Sequence, residues 1–227
     1  MVAACGRPSM TPPGASSIRP GEPTVAATVI TIQTTLQPEQ KTFTHTIAIA
    51  NGHARADNEL DRWRLFDLDH DAITYVDDLA KTYYTAPASR SNAPQMIATG
   101  AKRVIQGVEA SQFLIRMGGY QRELWIGTPQ SVPPELFGMI DSKFANVRGF
   151  PLADHAELAY GKSKLIVDRN VMKIEQKNVP RSLLNVSSDY KNITAPGENR
   201  PPASSRPRDR STPAEESPPS STGRRFP

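Results

Sequence analysis

The stretch VITIQTTL (29–36), followed closely by FTHTIAIA (43–50), alternates larger apolar side chains with Thr, Ala or Gln. In an extended chain Ile30, Ile32 and Leu36 fall on one side, and Phe43, Ile47 and Ile49 likewise fall together. Successive side chains of a strand point to opposite faces, so a half-buried strand shows this period of two where a helix would show 3.6. Asn51-Gly52 follows directly, and both residues tolerate positive φ, which marks a tight turn.

The same pattern extends outward. RWRLFDL (62–68) and AITYV (72–76) are split by an Asp-His-Asp turn, and KTYYT (81–85) comes next. Val108 to Met117 and Tyr120 to Ile126 form a hairpin joined by Gly118-Gly119, a two-residue loop suited to a primed turn. A strand over 102–105 turns at Gln106-Gly107, and a later pair, roughly 150–159 and 163–176, turns around Gly161. These predict nine or ten antiparallel, sequentially connected strands. Against them stands one predicted helix, SVPPELFGMIDSKFA (131–145), capped by Ser131 and carrying Leu136, Ile140 and Phe144 as a stripe. A short helical turn is predicted near 181–184. One helix cannot hide both faces of so large a sheet. The expected fold is mainly β (α+β): a strongly curved antiparallel sheet forming an open half-barrel, closed by one or two helices.

Composition divides the 227 residues into three parts, 1–23, 24–195 and 196–227. Thirteen of the 21 prolines lie in the two end segments. The tail from Pro196 has no Val, Leu, Ile or Met, and so little apolar surface cannot offset its ordering entropy; disorder is expected there. The net charge of +4 also comes mostly from the ends, since 24–195 carries 19 basic against 18 acidic residues. The middle segment shows no concentrated basic footprint for sequence-specific nucleic-acid binding. No run approaches the ~20 apolar residues of a membrane-spanning helix.

Catalytic and metal signatures fail one by one. Asp67-Leu-Asp69-His70-Asp71 opens like a calcium loop, but Ala72 and Asp78 stand where an EF-hand needs glycine and glutamate. Asp77 and Asp78 are adjacent at a strand end and point apart, which suits no acid–base pair. His45, His53, His70 and His155 share no ligand spacing, and His45 has the parity of an interior residue. Gly161-Lys162-Ser163 lacks the first glycine of a phosphate loop, Ala156 standing in its place. Asn185-Val-Ser187 and Asn192-Ile-Thr194 are glycosylation sequons, which matter only in a eukaryotic secretory setting. Neither a cofactor nor a catalytic residue is expected. A hydrolase using an unrecognised acid pair ranks last among the readings.

The single cysteine rules out an internal disulfide and a CxxC pair. It is informative for another reason. Val2-Ala3-Ala4-Cys5 has the form of a lipobox, with small side chains before a thiol that could receive a diacylglyceryl group. The Pro/Gly/Ser-rich stretch after it reads as a flexible tether. Only four residues precede Cys5, too few for a charged and an apolar signal region, so either the start lies upstream of Met1, which is the preferred reading, or the match is accidental.

Four further features carry a resemblance. They are the Asp67–Tyr75 hairpin leading to Tyr83-Tyr84, the segment Ile105-Gln-Gly-Val-Glu-Ala110, the strand Arg122-Glu-Leu-Trp125, and a closing Val186-x-x-Asp189-Tyr190. Together they resemble a bacterial domain family of unknown function that is similar in plan to the LolA/LolB-type outer-membrane lipoprotein carriers, over about residues 24–194. The resemblance implies a half-barrel whose concave apolar face is covered by helices and accepts acyl chains. The chain departs from the pattern at TAPASRSNAPQ (85–95), short and proline-bearing where relatives often insert a helix, which implies a more open cavity or none of ligand size.

Candidates to line such a cavity are Trp63, Tyr75, Phe113 and Ile115 from the strands, with Trp125. Phe137, Ile140 and Phe144 would come from the helix. Ordinary core packing is the simpler account of each of them. The expectation is a non-enzymatic cell-envelope lipoprotein of the periplasm or outer membrane, anchored through Cys5. It would bind an apolar or amphiphilic ligand such as a lipid or lipoprotein acyl chain, or an envelope protein partner. The alternative is a structural or interaction protein with a filled core; without the anchor, the location would be cytoplasmic.

Overall fold

In a computed structural model the described residues are 21–57, 62–89, 91, 94–117, 120–161 and 163–195. They end within the first of two units, Met1–Ala195 and Pro196–Pro227, so Cys5 and the tail lie outside them.

The period-two segments form one antiparallel meander. It comprises β1 (Thr24–Gln37), β2 (Lys41–Ala50), β3 (His53–Asp57), β4 (Arg62–Asp67), β5 (Ala72–Asp77) and β6 (Thr82–Pro87). A second meander runs through β7 (Ile97–Ile105), β8 (Val108–Met117), β9 (Tyr120–Gly127), β10 (Phe150–Tyr160) and β11 (Ser163–Pro180). The two join where β1 pairs with β11, and a two-residue β12 (Lys191–Asn192) adds to β6. The result is a single twelve-stranded sheet of order β12-β6-β5-β4-β3-β2-β1-β11-β10-β9-β8-β7. Two expectations are corrected: the connection is not sequential at the β1–β11 seam, and β12 runs parallel to β6.

This order forces curvature. β6 and β7 follow one another in the chain yet stand ten places apart in the sheet. Laid flat, that separation would be about 48 Å, whereas the link 88–96 can reach only about 35 Å. Bulges help the sheet curl, because an extra residue bends its strand. Met172 is left over where Thr31 pairs with Lys173 and Ile32 with Val171, and another irregularity falls between Pro151 and Ala153.

The register follows from side-chain parity. Ile30 faces both Ile47 and Ile174, and Phe66 faces both Ala54 and Ile73, so one apolar surface runs across the strands. With Ile115, Leu124 and Leu152 these residues make the main core. The opposite parity of β1 and β2 buries Ala27, Val29, Ala48 and Ala50 in a second cluster on the outer face, with Val179 and Leu184. Leu184 belongs to a 3-10 turn, Arg181–Leu184, and Arg55 Nη1 donates to the Leu183 carbonyl at 3.3 Å. The β2–β3 turn uses Asn51 and Gly52 at φ 52° and 73°, and a Cβ at Gly52 would collide with the Asp69 carboxylate.

The predicted helix over 131–145 is much shorter. α1 spans Leu136–Ile140, and a 3-10 turn follows at Ser142–Phe144. Pro133 and Pro134 bring no N–H groups, and Asp141 is extended at φ −130°, ψ 100°, which breaks the ladder between the two pieces. Ser131 caps nothing; the residue before α1 is Glu135, which makes no side-chain capping bond. Leu136, Phe137, Met139 and Phe144 are buried in the main core, with the Phe137 and Phe144 rings stacked at 4.7 Å. Among the described residues no helix is long and apolar enough to cross a membrane.

Candidate functional site

Between the inner face of the sheet and the α1 segment lies a cleft of about 950 Å³. Its walls come from the inward parity of both meanders: Ile32, Leu36, Phe43 and Ile47 on one side, Ala156, Leu158, Leu165 and Val167 on the other. The period-two segments 29–36 and 43–50 therefore build this surface, although their alternation does not by itself identify a cleft. His45, on the same parity, lies in the wall as expected.

The eight expected lining residues separate into three groups. Tyr75, Phe137 and Ile140 stand on the cleft wall. Ile115 and Phe144, each 1% exposed, are sealed in the core, and Phe113 packs against it. Trp63 and Trp125 stand off the cleft wall, and parity gives the reason. Arg64 and Phe66 point inward from β4, so Trp63, one residue out of phase with them, points outward. There its Nε1 donates to Asp78 Oδ1 at 2.8 Å, under the Arg55 guanidinium 3.9 Å from the ring centroid. Trp125 alternates with inward Leu124 and Arg122; its Nε1 donates to Glu123 Oε1 at 2.7 Å, beneath Arg103. Aromatic size suggested a lining role, but the alternation turns both indoles away from the cleft, and Trp125 packs against the main core instead.

The sequence reading missed the cleft's charges. Arg122 reaches Asp154 through two parallel hydrogen bonds, Nε to Oδ1 at 2.8 Å and Nη2 to Oδ2 at 3.0 Å. Arg169 Nη1 donates to the same Asp154 Oδ2 at 3.0 Å, and Arg122 Nη1 lies 3.4 Å from Asp141 Oδ2. Burial works against the Arg122 charge, but bonding to Asp154, with Tyr120 and Asp141 nearby, outweighs it and holds the guanidinium above its ordinary pKa. The register could have flagged this group, since Arg169 pairs with both Asp154 and inward Thr34.

Arg64 differs from its neighbours. Its Nη1 donates to the Ile140 carbonyl at 3.1 Å, but its buried Nε has no hydrogen-bond partner among the described residues. Burial pushes its guanidinium below the ordinary arginine value, against Tyr75 and Asp141, and an arginine so shifted still carries its charge at neutral pH. The Thr34 hydroxyl, also in the wall, is likewise buried without a partner among the described residues.

The acidic turn is occupied by its own backbone. Asp67 accepts from the Asp69 and His70 amides at 3.1 and 3.0 Å and from His70 Nδ1 at 2.9 Å. Among the described residues no group of three or more His, Cys, Asp and Glu side chains could hold a metal ion.

The chain matches no family model and no curated protein. Similar solved structures include PNGF-II in two crystal forms. One aligns at a TM-score of 0.48 and 11% identity over 71% of this chain and 30% of that one, the other at 0.42 and 12% over 74% and 32%. This chain thus spans about a third of PNGF-II. An uncharacterized conserved protein from Thermus thermophilus aligns at 0.45 and 12% identity, over 74% of this chain and 89% of that one. None of these three descriptions names a lipoprotein carrier, and likenesses this distant carry no argument about what the cleft does.

Proposed function

We propose that residues 24–195 are a non-catalytic binding domain whose cleft takes the apolar part of an amphiphilic ligand such as a lipid or acyl chain. The observation that carries this reading is the cleft itself, about 950 Å³ bounded largely by aliphatic and aromatic side chains. Ligand sites typically occupy about 300–1,000 Å³, with apolar walls and a few convergent polar groups. α1 and the turn after it act as a partial cover over one side of the curved sheet, in the plan of the lipoprotein carriers. The lipobox at Cys5 supports anchoring in the cell envelope, where such ligands abound.

The test is the intact native mass of the protein from its host's membrane fraction. The expected species begins at Cys5, carries covalent acyl mass, and holds further lipid-sized mass that organic solvent releases. Val167→Trp, which places an indole in the cleft from a half-buried wall position, should remove the releasable mass and leave the covalent mass. A native chain with no releasable mass would instead favour the alternative, a scaffold with a filled core that contacts protein partners.

A further inference from the structure

We infer that the cleft selects amphiphiles with an acidic head, a carboxylate or a phosphate, and that Arg64 forms the ion pair with it. This rests on the proposed binding role and adds the chemical class of the ligand. Of the arginines in the wall, Arg122 and Arg169 are both committed to Asp154. Arg64 has no carboxylate within ion-pair distance among the described residues, and its Nε is unpartnered. Lys143, exposed at the cleft, is a second cation with no such partner among the described residues.

A guanidinium beside an apolar wall, with no carboxylate in ion-pair distance, is costly to maintain. Removing cationic groups from water requires paired charge or hydrogen bonds to offset the loss. Arg64 donates to one backbone carbonyl and lies 5.2 Å from the Phe66 ring centroid. A carboxylate or phosphate head in the cleft would supply the opposite charge, accepting from guanidinium N–H groups other than the enclosed Nε. The walls flanking Arg64, Ala56, Ile73 and Ile47, would then hold the chain behind the head. The charge of Asp141 acts on Arg64, and the same carboxylate faces Arg122 at 3.4 Å, so it competes with an incoming anion.

The probes are cis-parinaric acid, its methyl ester and inorganic phosphate, bound to the full chain and followed by fluorescence for the first two and calorimetry for the last. The acid should bind about tenfold more tightly than the ester, the scale of one charge-assisted hydrogen bond. Arg64→Gln should bring the ratio of acid to ester affinity close to one, and Asp141→Asn should raise the affinity for the acid. Should Arg64→Gln fail to fold through loss of its bond to Ile140, the Asp141→Asn result decides alone. Equal binding of acid and ester by the native chain overturns the head-group inference and leaves the cleft reading intact. No binding of either overturns both. Inorganic phosphate binding as tightly as the acid would make this a site for free anions and overturn the amphiphile class.

Discussion

Asp154 joins two strands' cations at a single carboxylate. It is 5% exposed and Arg122 9%, so that pair is shielded from water on most sides, while Arg169 is exposed. Removing one member of such a buried pair leaves a charge with no solvent to stabilise it. Asp154→Ala should therefore cost about 3–5 kcal/mol of stability, read by chemical denaturation. The double variant Arg122→Met/Asp154→Leu should recover much of that loss, because it removes the charges together and fills the space with apolar atoms. A second residue-scale effect lies on the other face. His155 Nδ1 sits 2.6 Å from Asp168 Oδ1 and its Nε2 3.2 Å from Glu157 Oε1. Bonding to Asp168 raises the imidazole pKa first of all, burial opposes this, and Glu157 adds to the rise. The folded pKa thus exceeds the unfolded value near ~6.5. The resulting stability is fully present below the unfolded value and is lost as pH rises through the folded one. The denaturation midpoint of the native protein should accordingly exceed that of His155→Gln at pH 6, with the gap narrowing as pH rises through the folded value.

At the scale of elements, the 3-10 turn Arg181–Leu184 matters more than its length suggests. It covers the outer cluster that β1, β2 and β11 build from Val29, Ala48, Ala50 and Val179, and Leu184 is 4% exposed there. Leu184→Ala should destabilise the protein by about 2–5 kcal/mol, measured as a shift of the denaturant midpoint at constant slope. This turn was legible in the sequence, whereas β3 was not. In HARAD the inward positions are Ala54 and Ala56, too small to register as a hydrophobic alternation although they are 0% and 5% exposed. The helix over 131–145 erred in the opposite sense. Leu136, Ile140 and Phe144 do recur at helical spacing, but Asp141 in an extended conformation breaks the run, and Phe144 reaches the core from a separate turn. Spacing alone does not reveal such a break.

At the scale of the whole molecule, a curved, mainly antiparallel sheet was readable because alternation and turn chemistry agree over most of the described strands. Gly52 and Gly107, each at positive φ, close two of the hairpins that the sequence marked. The strand order was not readable, since pairing β1 with β11 joins segments far apart in the chain and no local pattern records it. The cleft was half readable. Its apolar walls follow from parity, while the arginines and Asp154 were invisible to a search for recognised motifs.

The seam carries a consequence for synthesis. β1 buries side chains on both faces and pairs along both edges, but its second partner is Ser163–Pro180, the last long strand to be made. On the ribosome, at ~5–20 residues per second, more than a hundred residues must therefore emerge after β1 before that edge can be covered. Through this interval an aliphatic, Thr-rich strand presents open backbone donors and acceptors to any neighbouring nascent chain. The strand that holds the finished sheet together is thus the segment most in need of chaperone protection while the protein is being made.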